Sequence, residues 1–489
     1  MPQQTEVPGQ RGPLSICLIE KVFLPTLTFL SLVAINPLGL DRGAIWTDPK
    51  TWPLTLWATM TWVLLLFYVY FSNSNKDRFL LQDQLINGIR LLNPFLLCFI
   101  GFVIAGYVAA IRSPFFLRAY LGQSTMGDGL PYWITVGALA LGTTLLLAIR
   151  PKVFRYQLLA VIAAGVTQGL SVLPQAFFDW RLDYTVHAGL TQPNGETLLS
   201  SIWRGQMPIG LTSHRGHVAA ILALTSTLVA GSYIKRPLRL WLLVFGVLTF
   251  SLWPTYTRGA YLALFAGLGS LFLIQRFSTN SSKRYYRIRM WANLVAVLVL
   301  SYGSFYITRQ LSWVTINRDM PSFSLERPDT FSSGRIHLWQ LAAGAILKNP
   351  LGYGFDGFGL AYPILKETAE NTVLKILEIN DYTFTYVDER GDLKVGLLPT
   401  NKAHNIILDL LISTGVLGAV LYLCSLFRLL SFALRSKENY LAATGIAYIV
   451  YGLTWFECAQ FSHLAWWALA AGTGLFLSEK SRSRFIEKR

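Results

Sequence analysis

Apolar residues gather into twelve runs, at about 22–40, 54–71, 91–111, 132–149, 157–174, 217–234, 238–253, 259–275, 291–308, 404–427, 439–456 and 461–478. Roughly 17 to 25 apolar residues span a bilayer as a helix, and shorter runs serve where a helix is buried among others. The pattern therefore predicts twelve transmembrane helices with both termini on one side. The first run is followed by many others and lacks a clear small-residue cleavage site, so it reads as a retained helix.

One long polar interval interrupts the runs, at 309–403. Past Ser332-Ser333-Gly334-Arg335, apolar residues at Ile336, Trp339, Ala343, Ile346 and Leu347 keep helical spacing until Asn349-Pro350 stops it. A glycine-rich loop follows (Gly352, Gly354, Gly357, Gly359), and 382–387 and 393–397 predict two short strands around Asp388-Glu389-Arg390-Gly391-Asp392. Such a segment is a folded cap. The expected fold is an all-α polytopic membrane protein: helices one to nine in 1–308, a cap loop at 309–403, and helices ten to twelve with a tail in 404–489.

Composition supports the membrane reading, with 53% hydrophobic and 14% charged residues and a mean hydropathy of +0.43. A net charge of +16 raises the question of nucleic acid, and its distribution answers it. Basic residues number 24 in the connections on the N-terminal side and 8 in the short connections opposite; the long interval holds 10 basic and 11 acidic residues. That bias orients helices in a membrane and excludes a nucleic-acid partner. It predicts cytoplasmic termini and an extracytoplasmic cap. A second outward loop, about 175–216, ends in His214-Arg215-Gly216-His217. The four cysteines, Cys17, Cys98, Cys424 and Cys458, have neither zinc-ligand nor disulfide spacing.

Candidate chemistry lies at the outward ends. Arg258, in the short turn Thr255-Tyr256-Thr257-Arg258-Gly259, is held near the bilayer: it either snorkels to lipid phosphates or serves as a fixed phosphate clamp. Arg335 starts the cap helix, where its charge adds to unpaired amides that favour an anion; the alternative is a solvated surface residue. Arg215 is a third candidate phosphate contact. His404, at an outward helix end, is either an interfacial residue or a base able to take a proton from a hydroxyl. His214 and His217 share a helix face, but no further metal-ligating residue is near in sequence, so no metal site is expected. Gly352-Tyr353-Gly354-Phe355-Asp356-Gly357 matches the dinucleotide fingerprint only literally, since it follows a helix where a strand is required. Asp409 and Glu457 are acids in or near apolar spans without a partner nameable from sequence.

Three landmarks occur in order: Thr257-Arg258-Gly259; Ser333-Gly334-Arg335-Ile336-His337-Leu338-Trp339 with Asn349-Pro350-Leu351-Gly352-Tyr353-Gly354; and Ala403-His404-Asn405 with Leu408-Asp409-Leu410 and Gly415-Val416-Leu417-Gly418. On these the chain resembles the O-antigen ligase and O-antigen polymerase superfamily of bacterial cell-envelope proteins. The resemblance implies a fold similar to type C glycosyltransferases, and a metal- and cofactor-independent enzyme of the bacterial inner membrane. It implies transfer of a glycan from a polyprenyl (undecaprenyl) diphosphate carrier to a hydroxyl of an acceptor, lipid A-core of lipopolysaccharide or another lipid or glycan. Arg258 and Arg335 would hold the diphosphate and His404 would activate the hydroxyl. A polysaccharide polymerase is the neighbouring reading, and a transporter akin to the superfamily's bicarbonate-transport-labelled members is the reading from another class. A third is an assembly partner without catalysis.

Overall fold

The computed structural model describes residues 14–33, 53–70, 75–123, 127–178, 187–191, 197–199, 208–212, 214–277, 284–311, 335–370, 375–380, 383–398 and 402–487. It is a bundle of long helices. Among the described residues, each of the twelve apolar runs lies wholly or largely on helix, and eight helices are long and apolar enough to cross a membrane. Leu54–Tyr70, Arg239–Thr255 and Tyr440–Gly452 are apolar but shorter. The first helical stretch begins earlier than expected, at Leu14, and passes through a π turn at Ile19–Phe23 before ending at Val33. Glu20 in that turn explains the early start. It is buried and pairs with Arg150 (3.0 Å) and the Tyr68 hydroxyl, so a charge-interrupted run still packs as helix.

Arg215–Lys235 is the central helix, buried on all sides from Gly216 to Ile234. It packs against Val153–Phe177, Arg239–Leu252, Arg258–Phe277 and Tyr440–Gly452. Its small residues, such as Gly231 against Tyr440, permit close helix approach. Around it, Leu97, Leu243, Val299 and Leu300 keep large apolar side chains exposed, as lipid-facing positions require.

Two segments of the long interval dock on the kinked helix Ile406–Ala433. Gly415 adopts φ 71 and ψ 179, a conformation an L side chain rarely takes, and breaks the helical ladder. The carbonyls this frees accept new donors: Tyr353 N–H reaches Ile412 O at 2.8 Å and Gly354 N–H reaches Ser413 O at 2.9 Å. Val416 N–H returns a bond to Pro350 O at 3.0 Å. A Cβ on Gly357 would lie 2.7 Å from the Ser413 backbone. The glycine run is thus a backbone docking seam, which accounts for the false dinucleotide pattern.

The cap helix forms at Arg335–Lys348, and a second helix follows at Gly357–Glu370. The hairpin strands form at Thr383–Val387 and Leu393–Leu397, and Lys375–Ile379 adds a third, unexpected antiparallel strand. The sheet rests through Phe384 and Ile379 on Ala110 and Ala119.

Candidate functional site

Three arginines occupy the same position in three helices. Arg215, Arg258 and Arg335 are each the first residue of Arg215–Lys235, Arg258–Phe277 and Arg335–Lys348. A helix start presents unpaired N–H groups and the positive end of its dipole, so each guanidinium sits beside an anion-favouring backbone. The local sequence sets each start differently. The His214 ring caps the first helix, Nδ1 accepting from Gly216 N–H at 3.0 Å. Before Arg258, Trp253–Thr255 makes a tight turn and Tyr256 takes a left-handed conformation (φ 47), with the Tyr261 hydroxyl donating to Trp253 O at 2.6 Å.

The three charges converge. Burial first, then the charges of Arg258 and Arg215, hold the Arg335 guanidinium below its usual range, against the opposing effect of Tyr451. Among the described residues no ion pair joins Arg215 or Arg335 to a carboxylate. Like charges gathered in this way suit an anion carrying more than one charge.

His404 stands at the edge of this cluster. Its ring meets Trp455 and Phe456 edge to face, each at 5.0 Å between centroids, and its backbone is left-handed (φ 54), a strained state for a bulky residue. Nδ1 has no hydrogen-bond partner. Burial, and after it the charges of Arg335 and His217, lower its pKa to about 4, so the imidazole is neutral at neutral pH. Asn405 begins the following helix as its cap, accepting from Ile407 and Leu408 N–H at 3.0 and 3.2 Å.

The loop at 453–461 walls the site. Trp455 lies over Gly216, where a Cβ would come within 2.3 Å of its ring, and Thr454 lies over Gly259, where the distance would be 2.1 Å. The residue after each of these two arginines must therefore be glycine for the loop to close on both helix starts. Asn405 Nδ2 donates to Leu453 O at 3.1 Å, tying the loop to His404.

Behind His404 is a buried charge knot. Lys402 pairs with Asp128, both almost fully buried, and Arg118 pairs with Asp356 at 2.5 Å. Burial opposes the Lys402 charge, but Asp128, Asp356 and Asp409 outweigh it and raise the ammonium pKa. Burial pushes the Asp356 carboxyl up to about 6, against Arg118 and Lys402. The two acids without a partner nameable from sequence now have one: Asp409 accepts from Ala403 N–H at 2.8 Å, and Glu457 from the hydroxyls of Tyr422 and Tyr448.

His214 and His217 have separate tasks. His214 caps a helix, and His217 Nδ1 faces Gln460 Oε1 at 3.1 Å. Among the described residues no three His, Cys, Asp or Glu side chains are grouped to hold a metal. Asp128, Lys402, Trp455 and Tyr451 were missed in the sequence. Only the doubled Arg-Gly pair and the proximity of Lys402 to His404 hinted at them.

Residues 243–423 match the O-antigen ligase family model. This part of the chain is similar to the O-antigen ligase family. The family match takes in Arg258, Arg335, Lys402, His404 and Asp409, whereas Arg118, Asp128, Arg215 and the 453–461 loop lie outside it. No curated protein matches the chain. The protein is thus a multi-pass membrane protein with a region, 243–423, similar to the O-antigen ligase family.

Proposed function

We propose that the protein is a glycosyltransferase that moves a glycan from a polyprenyl diphosphate carrier to an acceptor hydroxyl at the outer face of the bacterial inner membrane. The carrying observation is the convergence of three arginine-headed helix starts beside a neutral histidine with an unpartnered ring nitrogen. The cap at 309–403 and both helix-start loops face outward in this reading, with the termini in the cytoplasm. The acceptor is lipid A-core or a similar lipid.

His404 takes the proton of the acceptor hydroxyl as its oxygen forms the new bond to the anomeric carbon. The bond from that carbon to the carrier oxygen breaks, and its electron pair leaves with the diphosphate. Arg215, Arg258 and Arg335 neutralise the charge that develops there. The same diphosphate offsets the Arg335 charge that depresses His404, so donor binding makes the base stronger when it is needed. Neutralisation at the leaving group needs no separate protein acid.

The test is transfer by purified protein in lipid, with lipid-linked glycan and acceptor. His404→Ala slows transfer by about 10² to 10⁴ while donor binding persists. Arg258→Lys and Arg335→Lys keep charge but lose the planar fork, and each falls by about 10². Wild-type rates in the His404 variant remove the base; wild-type rates in both lysine variants remove the clamp. A single transferred glycan marks a ligase, and a lengthening ladder marks a polymerase.

A further inference from the structure

The residue immediately before His404 is gripped from two sides. Ala403 is fully buried; its N–H donates to Asp409 Oδ1 at 2.8 Å, and its carbonyl accepts from Trp339 Nε1 at 3.0 Å. Asp409 belongs to the helix after His404, whereas Trp339 belongs to the cap helix. These bonds hold the two successive peptide planes that lead into His404 and its left-handed conformation, which the chain would not hold unsupported. Arg335 and Trp339 are four residues apart on Arg335–Lys348, hence on one face of one rigid element. The helix that presents a guanidinium to the anion site also holds the backbone of the histidine.

We propose that Asp409 and Trp339 are positioning residues for His404, and that Trp339 couples occupancy of the Arg335 site to alignment of the imidazole. This rests on the reading of His404 as the base. Asp409 acts here as a hydrogen-bond acceptor, a task that an amide oxygen can also perform. The second carboxylate oxygen, Oδ2, is buried without a partner and lines a small cavity shared with Asp128, Lys402 and Glu457. It takes no proton from the reaction in this scheme.

The experiment is steady-state transfer with lipid-linked donor by Asp409→Ala, Asp409→Asn and Trp339→Phe, each also built into His404→Ala. Asp409→Ala and Trp339→Phe should lower kcat by about 10- to 100-fold, the scale of a misplaced reacting group, with donor KM within about twofold. Asp409→Asn should recover most of that loss. In the His404→Ala background the same changes should cost nothing further, since there is no imidazole left to place. An equal fall with and without His404 would show a merely structural role and overturn the proposal. Wild-type kcat in Asp409→Ala and Trp339→Phe would overturn it too. So would an inactive Asp409→Asn beside a well-folded protein, because a carboxylate charge would then be required. If His404→Ala alone transfers at the wild-type rate, the base assignment has failed as well; if it is slow and the positioning variants are not, only this inference falls.

Discussion

Lys402→Met should destabilise the protein more than any loss of a surface charge. Lys402 and Asp128 expose 4% and 5% of their side chains, and Asp356 and Asp409 also act on Lys402. Removing one partner of a buried pair leaves a carboxylate with neither water nor a counter-charge, at about 3 to 5 kcal/mol. That is roughly a hundredfold to several thousandfold in the folding equilibrium, since about 1.4 kcal/mol is tenfold. The stranded carboxylate can escape by binding a proton, which becomes easier by about 1.4 kcal/mol per pH unit, so the deficit should shrink between pH 7 and pH 5. Asp128→Asn with Lys402→Met removes both charges and should cost clearly less than the two single changes together. The assay is reversible denaturant unfolding of detergent-solubilised protein, followed by tryptophan fluorescence, for wild type, both singles and the double. Single costs that add within about 0.5 kcal/mol would show that the two groups do not interact, and would refute the charge knot.

The two helix-start glycines offer a steric test: Gly216→Ala and Gly259→Ala place a methyl within 2.3 Å of Trp455 and 2.1 Å of Thr454, and should each cost about 1 to 3 kcal/mol and slow transfer, measured by unfolding and activity. His404, lowered to about 4, should give an acid limb of kcat/KM well below the free-imidazole range, and Arg335→Ala should move that limb upward. The sign for stability follows from the same shift: between about 6.5 and 4 the unfolded chain binds the proton that folded His404 refuses, so this contribution is lost as pH falls through that window. A cysteine at the exposed hairpin position Arg390, with Cys17, Cys98, Cys424 and Cys458 replaced, should react with an impermeant thiol reagent in intact spheroplasts; labelling only after lysis would reverse the orientation.

The helices were legible because an apolar run long enough for a bilayer has few other uses, and the cap helix because Asn349-Pro350 gives a definite stop. The third cap strand was not legible: Lys375–Ile379 alternates poorly, and its pairing with Thr383–Val387 contains a register shift, so its identity comes from its neighbour. The same holds for the charge knot. Lys402 and Asp128 stand 274 residues apart, and Arg118 and Asp356 stand 238 apart, distances over which no local period carries information. Arg215 and Arg258 were readable as cations near outward ends, yet what joins them is the glycine that follows each. One glycine after an arginine has many explanations; two, at the starts of neighbouring helices, require that a third segment pass close to both. The 453–461 loop is that segment, and it brings Trp455 onto His404 while covering Gly216. The starts of the two arginine-headed helices and the His404 ring are therefore brought together by one closure of the chain.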